Sequence, residues 1–265
     1  MQVQAKKMFG QNFITDKNLI LKIISLLKND GNTLVIEIGP GQGALTVELT
    51  KQFKKVIAIE IDRDMEAILK DKIKTDNFDL VMEDVLEIDF LKLLKPEIEK
   101  YKSIVLISNT PYYITSEILF RTFDLSPILS QAIFMFQKEV AERVCAKVGD
   151  KKYNNLSIAT EFYSKSKYEF TVKKNMFNPV PKVDSAIVSL DFGTNKVGDI
   201  KNAMEFVNFV RKLFNNRRKT ILNNVKSSIL GYDASKLLAE CEIDSQLRPE
   251  NLSIDQYIKL YKRIK

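Results

Sequence analysis

The chain has no histidine at all and only two cysteines in 265 residues. Without histidine, Ser-His and Cys-His nucleophilic mechanisms, imidazole general-base catalysis and histidine metal ligands are all excluded. Its chemistry must therefore run on carboxylates, amides, aromatic faces or a reactive cofactor. Cys145 and Cys241 stand far apart without CxxC spacing, which argues against a zinc site and for a reducing compartment. No metal is expected. No apolar run is long enough to cross a bilayer, and residues 1–13 carry Lys6 and Lys7 but no hydrophobic stretch. A cytoplasmic protein without a membrane partner is the expectation.

What is present fits a folded globular protein: 45% hydrophobic and 28% charged residues, enough for one large domain or one large and one small. Net charge is +7, and it is unevenly placed. Residues 201–265 hold 13 Lys+Arg against 7 Asp+Glu, while residues 1–200 hold 28 against 27. A basic C-terminal quarter points to a polyanion partner.

Apolar runs alternate with amphipathic ones. Residues 34–38, 56–61, 80–84, 104–108 and 132–136 read as buried strands, and 43–53, 62–75 and 115–124 as helices. That alternation predicts a parallel sheet covered by helices on both faces. SAIVSLDF (185–192) reads as a later strand, and the two prolines of FNPVPKVD (177–184) predict a loop before it. Beyond a linker at 193–199, residues 203–214, 218–230, 233–241 and 253–264 read as helices. The expected division is a Rossmann-like catalytic domain over 1–193 and a small all-helical domain over 200–265.

Two strand ends carry the chemistry. LVIEIGPGQG (34–43) places Glu37, Gly39, Gly41 and Gly43 as E-x-G-x-G-x-G at a strand-to-helix turn. Such a turn lets a nucleotide-like cofactor approach the backbone closely. Glu60 ends the next strand, where a carboxylate can grip ribose hydroxyls, and Asp84 ends the third, where it can accept from an adenine amine. The G-x-G-x-G spacing with a preceding acid favours S-adenosylmethionine over a dinucleotide. Asn109-Thr110-Pro111-Tyr112 follows the fourth strand. Strand carboxyl ends of open α/β sheets share one crevice, so this turn should face the glycine turn. An amide oxygen and a carbonyl can accept both hydrogens of an adenine amine while Tyr112 stacks on the base. Phe177, on the proline-stiffened loop, is the candidate for the opposite face of the base. Phosphate contacts are expected from Lys6 and Lys7 in an N-terminal arm with Gln11 and Asn12, and from Arg217, Arg218 and Lys219. Together these features describe a methyltransferase acting on adenine in RNA.

The chain closely resembles the small-subunit ribosomal RNA adenine dimethyltransferase family, the kasugamycin-sensitivity dimethylases of bacteria and their eukaryotic relatives. FGQNFI, EIGPGQG, IEID, ED, NTPYYIT, QKEVAERV, YNNLS, PVPKVDSA, NRRKTI and LRPENLS occur in family order across almost the whole chain. The resemblance implies dimethylation of two adjacent adenosines in the 3′-terminal hairpin loop of small-subunit rRNA. It implies a cytoplasmic, monomeric enzyme acting on a precursor or immature small ribosomal subunit, with S-adenosylhomocysteine as product. By position it implies that Gln11, Asn12 and Phe13 help hold the cofactor with Glu37, Gly39, Gly41, Glu60, Asp84 and Asn109. It also implies that Asn109, Pro111 and Tyr112 face the target adenine, and that Arg217 and Arg218 belong to the domain meeting the ribosomal subunit. The family usually has an aliphatic residue where this chain has Thr110. Two other readings remain: an antibiotic-resistance methylase of large-subunit rRNA, and a non-catalytic RNA-binding assembly or transcription factor of the same fold. NRRKTI and LRPENLS favour the small-subunit reading, and the intact glycine turn with Asn109 argues against lost catalysis.

Overall fold

The computed structural model describes residues 12–265; Lys6, Lys7 and Gln11 lie outside that range. The elements are β1 (Phe13–Ile14), α1 (Lys17–Ile24), β2 (Thr33–Ile38), α2 (Thr46–Gln52), β3 (Lys55–Ile59), α3 (Asp64–Lys72) and β4 (Phe78–Val81). They continue with α4 (Phe90–Leu94), β5 (Ser103–Asn109), α5 (Thr115–Asp124), β6 (Gln131–Gln137), α6 (Lys138–Val144), α7 (Asn155–Tyr163) and β7 (Lys165–Val172). The last are β8 (Phe177–Asn178), β9 (Ser185–Asp191), α8 (Ala203–Leu213), α9 (Ile221–Ser228), α10 (Ala234–Glu240) and α11 (Ile254–Ile264).

Seven strands form one sheet in the order β4-β3-β2-β5-β6-β9-β7. The pairs β4/β3, β3/β2, β2/β5 and β5/β6 are parallel, and β9 returns antiparallel to β6. All six residues of β2 are buried, as a strand covered on both faces requires. This is an α/β, Rossmann-like sheet. Strand order runs outward from β2 in one direction through β3 and β4, then restarts beyond it at β5. The carboxyl ends of β2 and β5 therefore flank a topological switch point, where such sheets open a crevice. Helix α1 packs Leu19, Ile20, Ile23 and Ile24 into the core that includes Val35, Val105 and Ile133. Its start is set by Asp16, whose Oδ1 accepts from Leu19 N–H at 2.7 Å.

Two departures from the sequence reading bear on the site. Residues 177–184 are not all loop: Phe177 and Asn178 form β8, antiparallel to β1, with Ile14 opposite Phe177. The two prolines at 179 and 181 lie just past this pair and so do not break it. Helix α9 starts at Ile221 rather than 218, because the Thr220 side chain accepts from Asn223 N–H and caps it there.

The chain divides into two compact units, one running through Ala141 and including Lys167–Gly193, the other Glu142–Ser166 with Thr194–Lys265. Residues 142–166, expected in the catalytic domain, fall in the second unit instead. The physical reason is an aromatic core. Phe162, with 0% exposure, packs its ring 4.7 Å from Phe206, which meets Tyr261 edge-on at 5.5 Å. Among the described residues no helix is long and apolar enough to cross a membrane.

Candidate active site

A crevice opens at the β2/β5 switch point, and its walls include Asn12, Phe13, Glu37, Gly39, Gly41, Glu60, Asp84, Asn109, Pro111 and Tyr112. The structure thus gathers residues from five separate stretches of sequence.

On the β2 side the backbone makes the floor. Gly41 has φ +53° and a Cβ there would lie 2.8 Å from Phe13 Cε1. Any side chain would both strain the turn and drive the Phe13 ring away. Gly41 N–H donates to Glu60 Oε2 at 3.0 Å, while Glu60 Oε1 accepts from Ile61 and Asp62 N–H at 3.0 and 2.8 Å. The Glu60 carboxylate is thus held by three backbone donors at the end of β3. Burial raises its pKa, against the pull of these hydrogen bonds. Glu37 is more extreme. Burial pushes its carboxyl up to about 8, the Thr46 hydroxyl partly offsetting this and the Glu60 charge adding to it. Its Oε2 has no hydrogen-bond partner among the described residues. A buried, unpartnered acid at a crevice wall fits a cationic ligand group, such as the ammonium of an amino acid, against which it would ionise. Asp84 lies beyond β4, in a turn where its Oδ1 accepts from Leu86 N–H at 2.9 Å, rather than ending the strand.

On the β5 side, Asn109 is the last residue of the strand. Its Nδ2 donates to the Asn12 carbonyl at 3.0 Å, which fixes the amide and leaves Oδ1 as an acceptor. Pro111 holds φ −58° ahead of a single turn of 3-10 helix at Tyr112–Ile114. Its carbonyl accepts from Ile114 N–H and Thr115 Oγ1. Tyr112 is half-buried, and its hydroxyl lies 2.6 Å from Ser185 Oγ on β9. Burial raises the phenol pKa, with the Ser185 contact opposing. Thr110 turns its hydroxyl to Ser108 Oγ at 3.1 Å. Tyr113 stands 54% exposed on the crevice wall.

Phe177 is not among the residues lining this crevice. The β1/β8 pairing buries it to 3% exposure in the core cluster with Ile14, Leu19, Ile20 and Val172, directly opposite Ile14, which does line the crevice. Arg217 is exposed, and its Nη2 donates to the carbonyls of Tyr153 and Lys151 at 3.1 and 3.3 Å. Arg218 and Lys219 are exposed. Ser185 and Ser108 went unrecognised in the sequence reading. A serine on an apolar strand carries no local signal of what it touches, and Ser185 was visible only as part of PVPKVDSA.

The model of the family described as ribosomal RNA adenine dimethylase matches residues 2–265. A Mesoplasma florum protein named ribosomal RNA small subunit methyltransferase A is 55% identical, with 99% of each chain covered. A protein of the same name from Fusobacterium nucleatum is 42% identical over 99% of this chain and 98% of its own. Among solved structures, a dimethyladenosine transferase from Plasmodium falciparum superposes with a TM-score of 0.78 at 29% identity, covering 94% of this chain and 98% of that one. The 23S rRNA methyltransferase ErmE shares the fold, with a TM-score of 0.71 at 23% identity over 96% of this chain and 99% of that one. A glycine turn, strand-end acids and an oriented Asn-x-Pro-Tyr turn around one crevice, with these full-length likenesses, place the chain in the ribosomal RNA adenine dimethylase family.

Proposed function

We propose that this protein dimethylates the exocyclic amino groups of two adjacent adenosines in the 3′-terminal hairpin loop of small-subunit rRNA. S-adenosylmethionine is the donor, an immature small subunit the substrate particle, and the enzyme acts as a monomer. The observation that carries the reading is the Asn109 amide, fixed by Asn12 so that its oxygen is left to accept in the crevice that Glu37, Gly41 and Glu60 also line. The curated relatives are named for the small subunit, so the large-subunit alternative has no comparable support.

Glu37 suits the ammonium of the donor, Glu60 its ribose hydroxyls and Asp84 its adenine amine, with Asn12 and Phe13 closing the site. Bound there, the cofactor supplies a methyl carbon already activated by a positively charged sulfur. The protein's task is then to position and orient the acceptor. An adenine amine is a poor nucleophile because its lone pair is conjugated with the ring. Asn109 Oδ1 and the Thr110 carbonyl accept its two hydrogens. These bonds strengthen as the nitrogen becomes tetrahedral, so they favour the transition state over the ground state. Tyr112 stacks on the base, and Pro111 keeps that ring and Asn109 at a fixed spacing. No general base is needed, because the proton leaves only after transfer, when the nitrogen is acidic and water can take it.

Asn109→Ala should lower single-turnover methylation of unmethylated small subunits by at least about a hundredfold, a loss of transition-state stabilisation. Cofactor affinity, read by titration calorimetry, should change little. Near-normal methylation by this variant, or label appearing in large-subunit RNA, would overturn the assignment.

A further inference from the structure

Two buried hydroxyls link the turn that carries Asn109 to the turn that carries the glycines. Thr110 and Ser108 are each 2% exposed. Thr110 Oγ1 donates to Ser108 Oγ at 3.1 Å, and Ser108 Oγ donates to the Ile38 carbonyl at 3.0 Å. Ile38 is the last residue of β2, directly before Gly39, and lies opposite Ser108 in the parallel register. The β2/β5 ladder stops at this pair, so the two turns leave the sheet without further ladder bonds between them. The hydroxyl chain continues the connection past that point. It runs from the residue after Asn109 to the residue before the glycine turn. An aliphatic side chain at position 110, usual in the family the chain resembles, could not make it.

We propose that Thr110 and Ser108 are positioning residues for methyl transfer: their hydroxyl chain sets the Asn109–Tyr112 turn in register with the glycine turn. The proposal rests on the reading of the Asn109 turn as the base site. Neither hydroxyl touches a substrate, since both are used within the chain. They act through the backbone, by fixing where the Asn109 amide and the Thr110 carbonyl stand relative to a donor lying along Gly39–Gly41. Transfer between two bound groups is sensitive to displacements well under an ångström. Ser108→Ala leaves the buried Thr110 hydroxyl without its acceptor, and Thr110→Val removes the donor that ties position 110 to Ser108, so cutting the chain at either member should shift the turn.

The test uses Thr110→Val, Ser108→Ala and Thr110→Ser in the full chain, with single-turnover rate, cofactor affinity and melting temperature measured for each. Thr110→Val keeps the shape and removes the hydroxyl. It should slow methylation about tenfold, the scale of a modest misalignment, with cofactor affinity within about twofold of wild type. Thr110→Ser, which restores the donor, should recover most of the rate. Ser108→Ala should lose as much as Thr110→Val, and the double variant little more, because both cut one chain. Should Thr110→Val fail to fold, Ser108→Ala is judged by the same criteria. Wild-type rates in Thr110→Val and Ser108→Ala, beside an inactive Asn109→Ala, would overturn the tether alone. Equal losses in Thr110→Val and Thr110→Ser would also overturn it, since shape and not the hydroxyl would then matter. An active Asn109→Ala would instead remove the base-site reading, and the tether with it.

Discussion

Glu37 stays protonated in the folded chain at neutral pH, because its burial beside Glu60 pushes the carboxyl up to about 8 from an ordinary value of 4.5. Between those two values the unfolded chain has released a proton that the folded chain retains. Folding stability therefore falls as pH rises through that window, and the contribution is fully present only below it. Glu37→Gln mimics the neutral acid without titrating. It should match the wild type near pH 5 and exceed it by on the order of a few kcal/mol near pH 8. Urea unfolding of both proteins at the two pH values reads the difference. The same substitution removes the acid that can ionise against a bound ammonium, so cofactor affinity should fall while stability rises. Parallel pH profiles for the two proteins would mean that Glu37 ionises freely in the fold.

At the scale of elements, the segment between α8 and α9 separates two kinds of arginine. Asn224 is fully buried, and its Nδ2 donates to the carbonyls of Asn216, Lys219 and Thr220. Arg217 ties the same segment to the carbonyls of Lys151 and Tyr153. These bonds build the loop, and Arg218 and Lys219 are displayed on it. Arg217→Ala should consequently lower stability by about 0.5–1.5 kcal/mol, the net worth of a solvent-accessible hydrogen-bonding side chain. A thermal melt checks this. Arg218→Ala with Lys219→Ala should leave the melt unchanged and weaken binding to rRNA. It should also reduce the dependence of log affinity on log salt by about one for each phosphate no longer neutralised. Affinity that ignores both salt and this double change would make the loop an ordinary solvated surface.

At the scale of the whole molecule, the second unit is built from two stretches of sequence. Phe162 has 0% exposure, and its neighbour Phe206, with Tyr261 packed on Phe206 in turn, comes from a helix far along the chain. A chain ended at residue 199 would keep α7 but lose the partners of that ring. Uncovering a buried phenylalanine costs about 3–5 kcal/mol when its packing is removed. Residues 155–163 should then lose amide-exchange protection and the shortened protein should bind a hydrophobic dye. Protection equal to that of the full chain would show that 142–166 folds with the first unit.

The periodicity of apolar runs was enough to read the parallel strands and the C-terminal helices, because buried parallel strands and amphipathic helices write their environment into local composition. Local motifs likewise placed Gly39, Gly41, Glu37 and Glu60 around one crevice, because their positions follow from backbone shape and strand ends, both of which are short-range. Contacts between distant segments were not legible. The burial of Phe177 depends on its pairing with Ile14, and the commitment of Arg217 on carbonyls more than sixty residues away. The hydroxyls of Ser108, Thr110 and Ser185 look inert along the chain, since a serine or threonine on a strand has the same propensity whether or not it meets a partner. Only packing the strands side by side placed Ile38 beside Ser108 and Tyr112 beside Ser185. Sequence thus determined which residues stand at the strand ends, and tertiary structure decided which of them could be aimed, because hydrogen-bond geometry depends on neighbours in space and not in order.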